Sequence, residues 1–145
     1  RLRSQRRAGD SKPFAVLFID LNRFKLINDR LGHDAGDRAL VEVGTRLRAT
    51  TRSGDLVARY AGDEFVVLLD NIDSPAAADQ IRLHLEAVLR EPLTSLGADD
   101  AKADLPSVMH GGAVGVALYP GIADTADDLI RQADRDMYER KRASR

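Results

Sequence analysis

The sequence contains no cysteine among its 145 residues, which excludes disulfide bonds and thiolate metal sites and fits a reducing compartment. It has no run of about 20 apolar residues, so no segment is expected to span a bilayer. No apolar stretch follows the Arg-rich start, and no signal peptide is expected. A net charge of −1 gives no global field that would recruit nucleic acid or an anionic membrane, and neither nucleic-acid binding nor direct membrane insertion is expected.

The composition is typical of a globular protein, with 43% hydrophobic and 31% charged residues. A chain of 145 residues is expected to form one domain with a substantial core. Residues 1–12 are rich in arginine and begin without methionine, so we interpret them as a basic linker or helix end from a missing upstream region. A nucleic-acid-binding tail is the alternative, although solvated charge is the commoner explanation. The domain itself is assigned to residues 13–145.

The chain begins with a predicted strand followed by two predicted helices. Residues 14–19 are a continuous apolar run, which indicates a central strand buried on both faces. Asp20 follows at the carboxyl end of this strand, where ligands of α/β sheets commonly bind. Apolar residues at helical spacing predict one helix soon after Asp20 and another around residues 40–47, separated by a break over residues 32–37. Asp37 would then lie near the positive N-terminus of the second helix.

A β-hairpin is predicted over residues 56–70. Its tip places Gly62, which tolerates positive φ, directly before Asp63 and Glu64, whose side chains should point in different directions. The remaining predicted elements are a third helix from Ser74-Pro75, a loop over residues 93–106, a β-like stretch over residues 107–120 and a last helix from Thr125. The order β-α-α-β-β-α-β-α indicates an α+β fold with an antiparallel hairpin.

Three carboxylates, those of Asp20, Asp63 and Glu64, would be brought together if their strands are neighbours. Carboxylates that share one place repel each other unless they are protonated or bridged by a cation. Mg²⁺ is the natural bridge because it prefers oxygen ligands and keeps open positions for substrate phosphates. Taken alone, the acidic hairpin tip is better explained as a solvated turn, and the upstream Asp20 is what favours a site.

Other kinds of site lack the residues that they require. There is no Gly-x-x-x-x-Gly-Lys-Ser/Thr sequence, so the chain is not a P-loop enzyme. The stretch from Asp20 starts like an EF-hand loop, but Phe24 and Lys25 occupy positions that need a ligand and a glycine. The Gly-x-Ser-x-Gly turn of esterases is absent, and the three histidines are too scattered in the sequence to suggest a zinc site.

Five segments spread over nearly the whole chain carry a set of motifs: FIDLNRFKLIND at 18–29, GHDAGD at 32–37, RYAGDEF at 59–65, VGVALYP at 114–120 and ADRDMY at 133–138. Together they resemble the signature blocks of GGDEF domains, the diguanylate cyclases. The resemblance implies the palm-like fold of nucleotidyl cyclases, with a central, mostly antiparallel sheet flanked by helices and an active-site β-hairpin. It also implies condensation of two GTP into cyclic di-GMP by an antiparallel homodimer, each copy holding one GTP.

The resemblance assigns a role to each matching residue. It implies that Asp20, Asp63 and Glu64 bind Mg²⁺ or Mn²⁺ with help from the Leu21 carbonyl, and that Asp63, Glu64 and Lys25 are catalytic. The residues implied for GTP are Asn28 and Asp37 at the guanine edge, the backbone N–H groups near Phe24 and Gly62, and Lys25, Lys141 and Arg145 at the triphosphate. An amide and a carboxylate suit the donors and acceptors of guanine.

Plainer explanations exist for several of these residues. Asn28 could end a helix, Asp37 could cap one, and Lys141 and Arg145 could be the solvated basic end of a helix. The leading functional hypothesis is an active diguanylate cyclase in the cytoplasm, either alone or as the cytoplasmic part of a larger sensor. The alternative is a catalytically silent module that binds GTP or cyclic di-GMP and regulates an attached domain.

Two residues depart from the family's pattern. Ala61 replaces the first glycine of the signature, and Asn22 replaces a second acid in the first block. If the site requires positive φ at Ala61, the alanine costs about 1–2 kcal/mol and could displace Asp63. Residues 93–106 also look longer or more polar than the usual connection.

An Arg-x-x-Asp pair, Arg52 and Asp55, lies shortly before the predicted hairpin. Its spacing from the hairpin resembles that of the family's product-inhibition site, which implies cyclic di-GMP as a second ligand. A guanidinium can donate two parallel hydrogen bonds to a guanine edge or a phosphate, and a carboxylate can accept from guanine N–H groups. The alternative is an ordinary loop with an accidental ion pair.

Overall fold

The computed structural model describes residues 12–95 and 111–143. Its elements follow the predicted order β-α-α-β-β-α-β-α. They are β1 (Phe14–Leu21), α1 (Phe24–Leu31), α2 (His33–Thr50), β2 (Leu56–Ala61), β3 (Glu64–Asp70), α3 (Pro75–Leu89), β4 (Gly112–Tyr119) and α4 (Ala126–Ala143). Residues 1–11 of the predicted linker at 1–12, most of the predicted loop at 93–106 and residues 107–110 at the start of the predicted β-like stretch lie outside the described residues.

The four strands form one antiparallel sheet in the order β2-β3-β1-β4. As the apolar run predicted, β1 is central and is buried at every position except Asp20. Because β1 pairs with β3 on one side and β4 on the other, Asp20 lies opposite both Glu64 and Ala113. The two ladders therefore fix the position of this carboxylate along the sheet. A central, antiparallel sheet flanked by helices confirms the predicted fold class.

Helices cover both faces of β1. Alternate residues such as Leu17 and Ile19 pack with α1, α2 and α3 in the larger core cluster. Phe14 and Phe18 point to the other face and pack with α4 in the smaller cluster. Burying side chains of this size contributes about 1.5–3 kcal/mol each, so the sheet is held from both sides.

Gly115 allows α4 to cross β4 at very short range. A Cβ atom at this position would lie 2.1 Å from the carbonyl oxygen of Ala133 and 2.2 Å from the backbone nitrogen of Met137. No side chain fits in that space, so the glycine is needed for the packing of α4 and for the position of the basic residues at the end of this helix.

The cap of α3 is the one that the sequence predicts. The hydroxyl of Ser74 accepts a hydrogen bond from the N–H of Ala77 at 3.1 Å, and Pro75 is the first helical residue. The predicted break over residues 32–37 is wrong, because only Gly32 lies outside a helix and α2 begins at His33. Gly32 has φ 93°, so one residue is sufficient to redirect the chain. Among the described residues, no helix combines the length and the apolar character needed to cross a membrane.

Candidate functional site

The turn between β2 and β3 consists of Gly62 and Asp63. Gly62 has φ 43°, the left-handed conformation that the sequence predicts for the hairpin tip. Ala61 is the last residue of β2 and pairs with Glu64, and it is not among the described residues with positive φ. The conformational penalty considered for the alanine is therefore not incurred. The turn presents Asp63 without strain at residue 61.

The hairpin brings Asp63 and Glu64 to the same end of the sheet as Asp20. Asp20 lies opposite Glu64, and the N–H of Leu21 donates to the carbonyl oxygen of Asp63 at 3.2 Å. Burial raises the pKa of the Asp20 carboxyl, the charge of Asp63 raises it further, and Lys141 opposes both effects. Burial also raises the pKa of Glu64, as do the charges of Asp20 and Asp63. We refer to Asp20, Asp63 and Glu64 as the acidic cluster.

Lys141, near the end of α4, reaches the acidic cluster. Its Nζ lies 3.5 Å from Oδ2 of Asp20, and both side chains are partly exposed. Of the basic residues at the end of α4, Lys141 is therefore the one that contacts the acidic cluster. Arg145, the other cation expected at the triphosphate, lies outside the described residues.

The donor atoms of the acidic cluster fit the magnesium or manganese ion that the sequence implies. They are carboxylate oxygens, together with the carbonyl of Leu21, and hard divalent cations prefer such ligands. The charge of Asp63 raises the pKa of both Asp20 and Glu64, and that of Asp20 raises the pKa of Glu64, so a cation placed among them would relieve this repulsion. Within residues 12–95 and 111–143, no three His, Cys, Asp or Glu side chains already form a metal-holding group. The side chains would have to turn toward an ion to bind it.

A pocket of about 250 Å³ lies between α1, α2 and the hairpin turn, and we call it the α1–α2 pocket. Its lining includes the predicted ligand residues Phe24, Lys25, Asn28, Asp37, Gly62 and Asp63. One cavity thus joins the two residues predicted to read guanine with one carboxylate of the acidic cluster. Its lining also includes His33, Leu40 and Arg59, for which the sequence predicts no role.

Gly36 provides the space in which the Asn28 side chain lies. A Cβ atom on Gly36 would be 1.8 Å from Oδ1 of Asn28 and 2.9 Å from its Cγ. The amide therefore packs directly against the backbone of α2. The plainer alternative, in which Asn28 only ends a helix, is not needed, because α1 continues to Leu31.

Arg59 holds the hairpin turn from the side of β2. Its Nε donates to the carbonyl oxygen of Gly62 at 2.9 Å, and a bulge separates Arg59 from Ala61 in the ladder. This bond links β2 to the two-residue turn, and Arg59 is part of the lining of the α1–α2 pocket. The sequence feature that could have identified Arg59 is its position three residues before the turn glycine, Gly62.

A match to the family model described as diguanylate cyclase, GGDEF domain, extends over residues 1–145. The chain belongs to the GGDEF family. A curated relative, the diguanylate cyclase TpbB of Pseudomonas aeruginosa, is 46% identical over 131 residues, which cover 90% of this chain. The chain spans only 28% of the length of that relative.

Solved GGDEF structures have the same fold. A structure of the GGDEF domain of TpbB (YfiN) from Pseudomonas aeruginosa has a TM-score of 0.76 and 43% identity, covering 92% of this chain and 74% of that one. Another, reported as a novel interaction mode between a microbial GGDEF domain and cyclic di-GMP, has a TM-score of 0.68 and 26% identity. It covers 98% of this chain and 80% of that one.

The Arg-x-x-Asp pair of this GGDEF domain forms hydrogen bonds with the backbone of neighbouring elements. Asp55 is only 4% exposed, and its carboxylate accepts hydrogen bonds from the backbone N–H groups of Arg52 at 2.8 Å and Asp70 at 3.0 Å. The Arg52 guanidinium adds bonds to Asp55 and to the carbonyl of Asp70. Arg48 also donates to the carbonyl of Asp55 at 2.9 Å. Asp55 therefore joins the end of α2 to the end of β3.

Exposure differs strongly within this pair. The Arg52 side chain is 57% exposed, whereas that of Asp55 is 2% exposed. None of the described residues accepts a hydrogen bond from Nη1 of Arg52, so its donors can face a ligand. The pair of this GGDEF domain thus combines a buried anchor with an accessible cation.

Proposed function

We propose that this GGDEF domain condenses two GTP molecules into cyclic di-GMP as an antiparallel homodimer. The observation that carries the proposal is the α1–α2 pocket, which joins Asn28 and Asp37 to Asp63 in one cavity. A nucleotide held by its base at one end of this cavity has its phosphates near the acidic cluster. Family membership and relatives with diguanylate cyclase names support the same reaction.

Recognition of guanine follows from the chemistry of the pocket. The Asn28 amide both donates and accepts, and the Asp37 carboxylate accepts from the N–H groups of the base. Adenine has neither the N1–H nor the 2-amino group of guanine, so it would leave the Asp37 carboxylate without its donors, and a mismatched polar group in a binding site discriminates strongly. Lys25 lines the same pocket and would meet the triphosphate together with Lys141, which contacts Asp20.

The acidic cluster supports phosphoryl transfer through electrostatics and positioning. A bound Mg²⁺ or Mn²⁺ would supply neutralisation of phosphate charge and polarisation of the reacting phosphoryl group. Asp20, Asp63 and Glu64 would hold that ion, and the ladders beside β1 keep their backbones in place. The second copy supplies the attacking 3′-hydroxyl, since each α1–α2 pocket holds one GTP and closure of the ring needs two.

Product binding at Arg52 is the regulatory part of the proposal. The exposed guanidinium has donors for a guanine edge or a phosphate, and a related GGDEF structure is described as interacting with cyclic di-GMP. We expect micromolar or tighter binding, about −8 kcal/mol or better. The loop that carries Arg52 leads directly into β2, so bound product would restrain the hairpin that carries Asp63.

Turnover of GTP by the dimerised domain tests the proposed reaction. The domain, fused to a dimeric coiled coil, is incubated with GTP and Mg²⁺ or Mn²⁺, and cyclic di-GMP is measured by chromatography. We expect product from the wild type and none from Asp63→Ala, with Asp128→Ala as an exposed control. Binding of GTP without product in either metal would instead support the silent module.

A further inference from the structure

A second pocket, of about 500 Å³, lies on the other side of β1 from the α1–α2 pocket. Its volume is within the range of roughly 300–1,000 Å³ seen for small-ligand sites. The floor is the start of β4, and the walls are α3 and the end of α4. The lining includes Arg82, Arg90, Gly112, Ala113, Arg140 and Lys141. We call it the α3–α4 pocket.

The α3–α4 pocket adjoins the acidic cluster. Ala113 lies opposite Asp20 in the ladder, and Gly112 lies opposite Leu21. Lys141 lines the pocket and also lies 3.5 Å from Asp20. A phosphate chain that leaves the acidic cluster on the β4 side would therefore enter this pocket.

Cations line the α3–α4 pocket, and they differ in how far they are already neutralised. Arg82 is ion-paired with Asp79 at 2.8 Å and Glu86 at 3.2 Å, and Arg140 is paired with Asp136 at 2.8 Å. For the Arg90 guanidinium, none of the described residues supplies a hydrogen bond or an ion pair. Arg90 is therefore the cation with most to gain from a bound anion.

Arg90 is positioned by backbone hydrogen bonds and by packing, not by an ion pair with a described residue. It caps the end of α3, and its side chain passes so close to Gly111 that a Cβ there would be 2.9 Å from Cγ of Arg90. The carbonyl of Gly111 in turn accepts the N–H of Asn22 at 2.9 Å, directly beyond β1. A short chain of contacts thus connects Arg90 to the loop that follows Leu21.

Lys141 already lines the α3–α4 pocket, and it can exchange its contact with Asp20 for a phosphate at little cost. Its contact with Asp20 is a partly exposed ion pair, and such pairs contribute about 0–1 kcal/mol. A phosphate oxygen offers the ammonium group an equivalent partner. Lys141 and Arg90 line the same pocket, so both are available to one bound polyanion.

We propose that the α3–α4 pocket binds the pyrophosphate displaced during cyclic di-GMP synthesis, a role that rests on the proposed function. In each half-reaction the 3′-oxygen of one GTP forms a bond to the α-phosphorus of the other. The bond from that phosphorus to the bridging oxygen breaks, pyrophosphate leaves with the electron pair, and the hydroxyl proton passes to water. Arg90 and Lys141 then hold the leaving group beside the acidic cluster before it is released.

Calorimetric titration with inorganic pyrophosphate and Mg²⁺, without GTP, tests the pocket directly. Wild type is expected to bind, and Arg90→Ala is expected to bind about tenfold more weakly, because one hydrogen bond to a charged group is lost. Arg90→Lys keeps the charge and should recover part of the affinity. Arg131→Ala is the matched control, because Arg131 is exposed and lies at the other end of α4. Equal binding by wild type and Arg90→Ala would overturn the proposal.

Kinetics separate a leaving-group site from a second contact to bound GTP. With the dimerised domain, we expect Arg90→Ala to raise the inhibition constant of pyrophosphate about tenfold and to change KM for GTP less than twofold. A parallel rise in both constants would place Arg90 on the bound triphosphate and refute the pyrophosphate assignment. Should no variant turn over GTP, the proposed function fails while calorimetry still decides the pocket.

Discussion

Removal of the Asp55 carboxylate is expected to destabilise the domain as well as to affect product binding. Its two oxygens accept the backbone N–H groups of Arg52 and Asp70 within a site that is 4% exposed. In Asp55→Ala both N–H groups lose their acceptor at a part-buried site, and an unsatisfied donor costs about 1–3 kcal/mol, with the lower half of that range expected here. We expect the free energy of unfolding to fall by about 2–4 kcal/mol, as the sum of two such losses.

Urea unfolding followed by circular dichroism measures this loss. Asp128→Ala is the control, since Asp128 is exposed and pairs with an exposed arginine, an interaction worth about 0–1 kcal/mol. Arg52→Ala should lower cyclic di-GMP affinity while leaving Asp55 with both of its backbone donors. If Asp55→Ala unfolds within about 1 kcal/mol of the wild type, the reasoning on buried N–H donors is wrong.

The same carboxylate predicts a dependence of stability on pH. Burial alone would raise the pKa of Asp55, but hydrogen bonds from the N–H groups of Arg52 and Asp70 and from the Arg52 guanidinium outweigh it and hold this pKa below its usual value. The stabilisation is therefore present above the unfolded pKa of about 3.9 and is lost as pH falls through the lower folded pKa. The wild type should lose more stability than Asp55→Ala during acid titration.

Three further predictions concern packing and charge. Gly36→Ala should displace the Asn28 amide and reduce the preference for GTP over ATP in binding assays, whereas Gly44→Ala, which meets only an ordinary contact at 3.6 Å in the same helix, should not. Gly115→Ala should lower the free energy of unfolding by more than about 2 kcal/mol, measured by urea, because its methyl group collides with the backbone of α4. Burial would raise the pKa of Glu42, but hydrogen bonds from Thr94 and Ser95, in the segment after α3, lower it to about 2. The wild type should therefore be more stable than Glu42→Gln above the unfolded pKa of Glu42, and urea unfolding should show this difference disappear as the pH falls toward 2.

Patterns along the chain predicted most of the fold, because each element has a local signature. The apolar run of β1, the glycine at the hairpin tip and the Ser74-Pro75 cap all have the predicted structure. The error at residues 32–37 arose because glycine and aspartate usually indicate a loop. Here Gly36 is helical, and its missing side chain makes room for Asn28.

Features that depend on contacts between elements distant in the sequence could not be predicted. The backbone conformation at Ala61 follows from its ladder pairing with Glu64, which the motif does not reveal. Burial of Asp55 depends on the end of β3, which lies well beyond the Arg-x-x-Asp motif in the chain. The positions of Arg59 in the α1–α2 pocket and Arg90 in the α3–α4 pocket likewise depend on how neighbouring elements pack.

Pairing of β1 with β4 has a consequence for how the domain folds. Phe14, at the start of the described chain, is the ladder partner of Tyr119, near its other end. Bringing the two ends of so long a loop together costs conformational entropy before the stabilising contacts form. Folds dominated by pairings between distant residues therefore form slowly. During synthesis, the hairpin and the first three helices emerge before β4 exists. A nascent chain can therefore bury one face of β1 early, while its other edge stays exposed to chaperones or to wrong strands until the last part of the domain arrives.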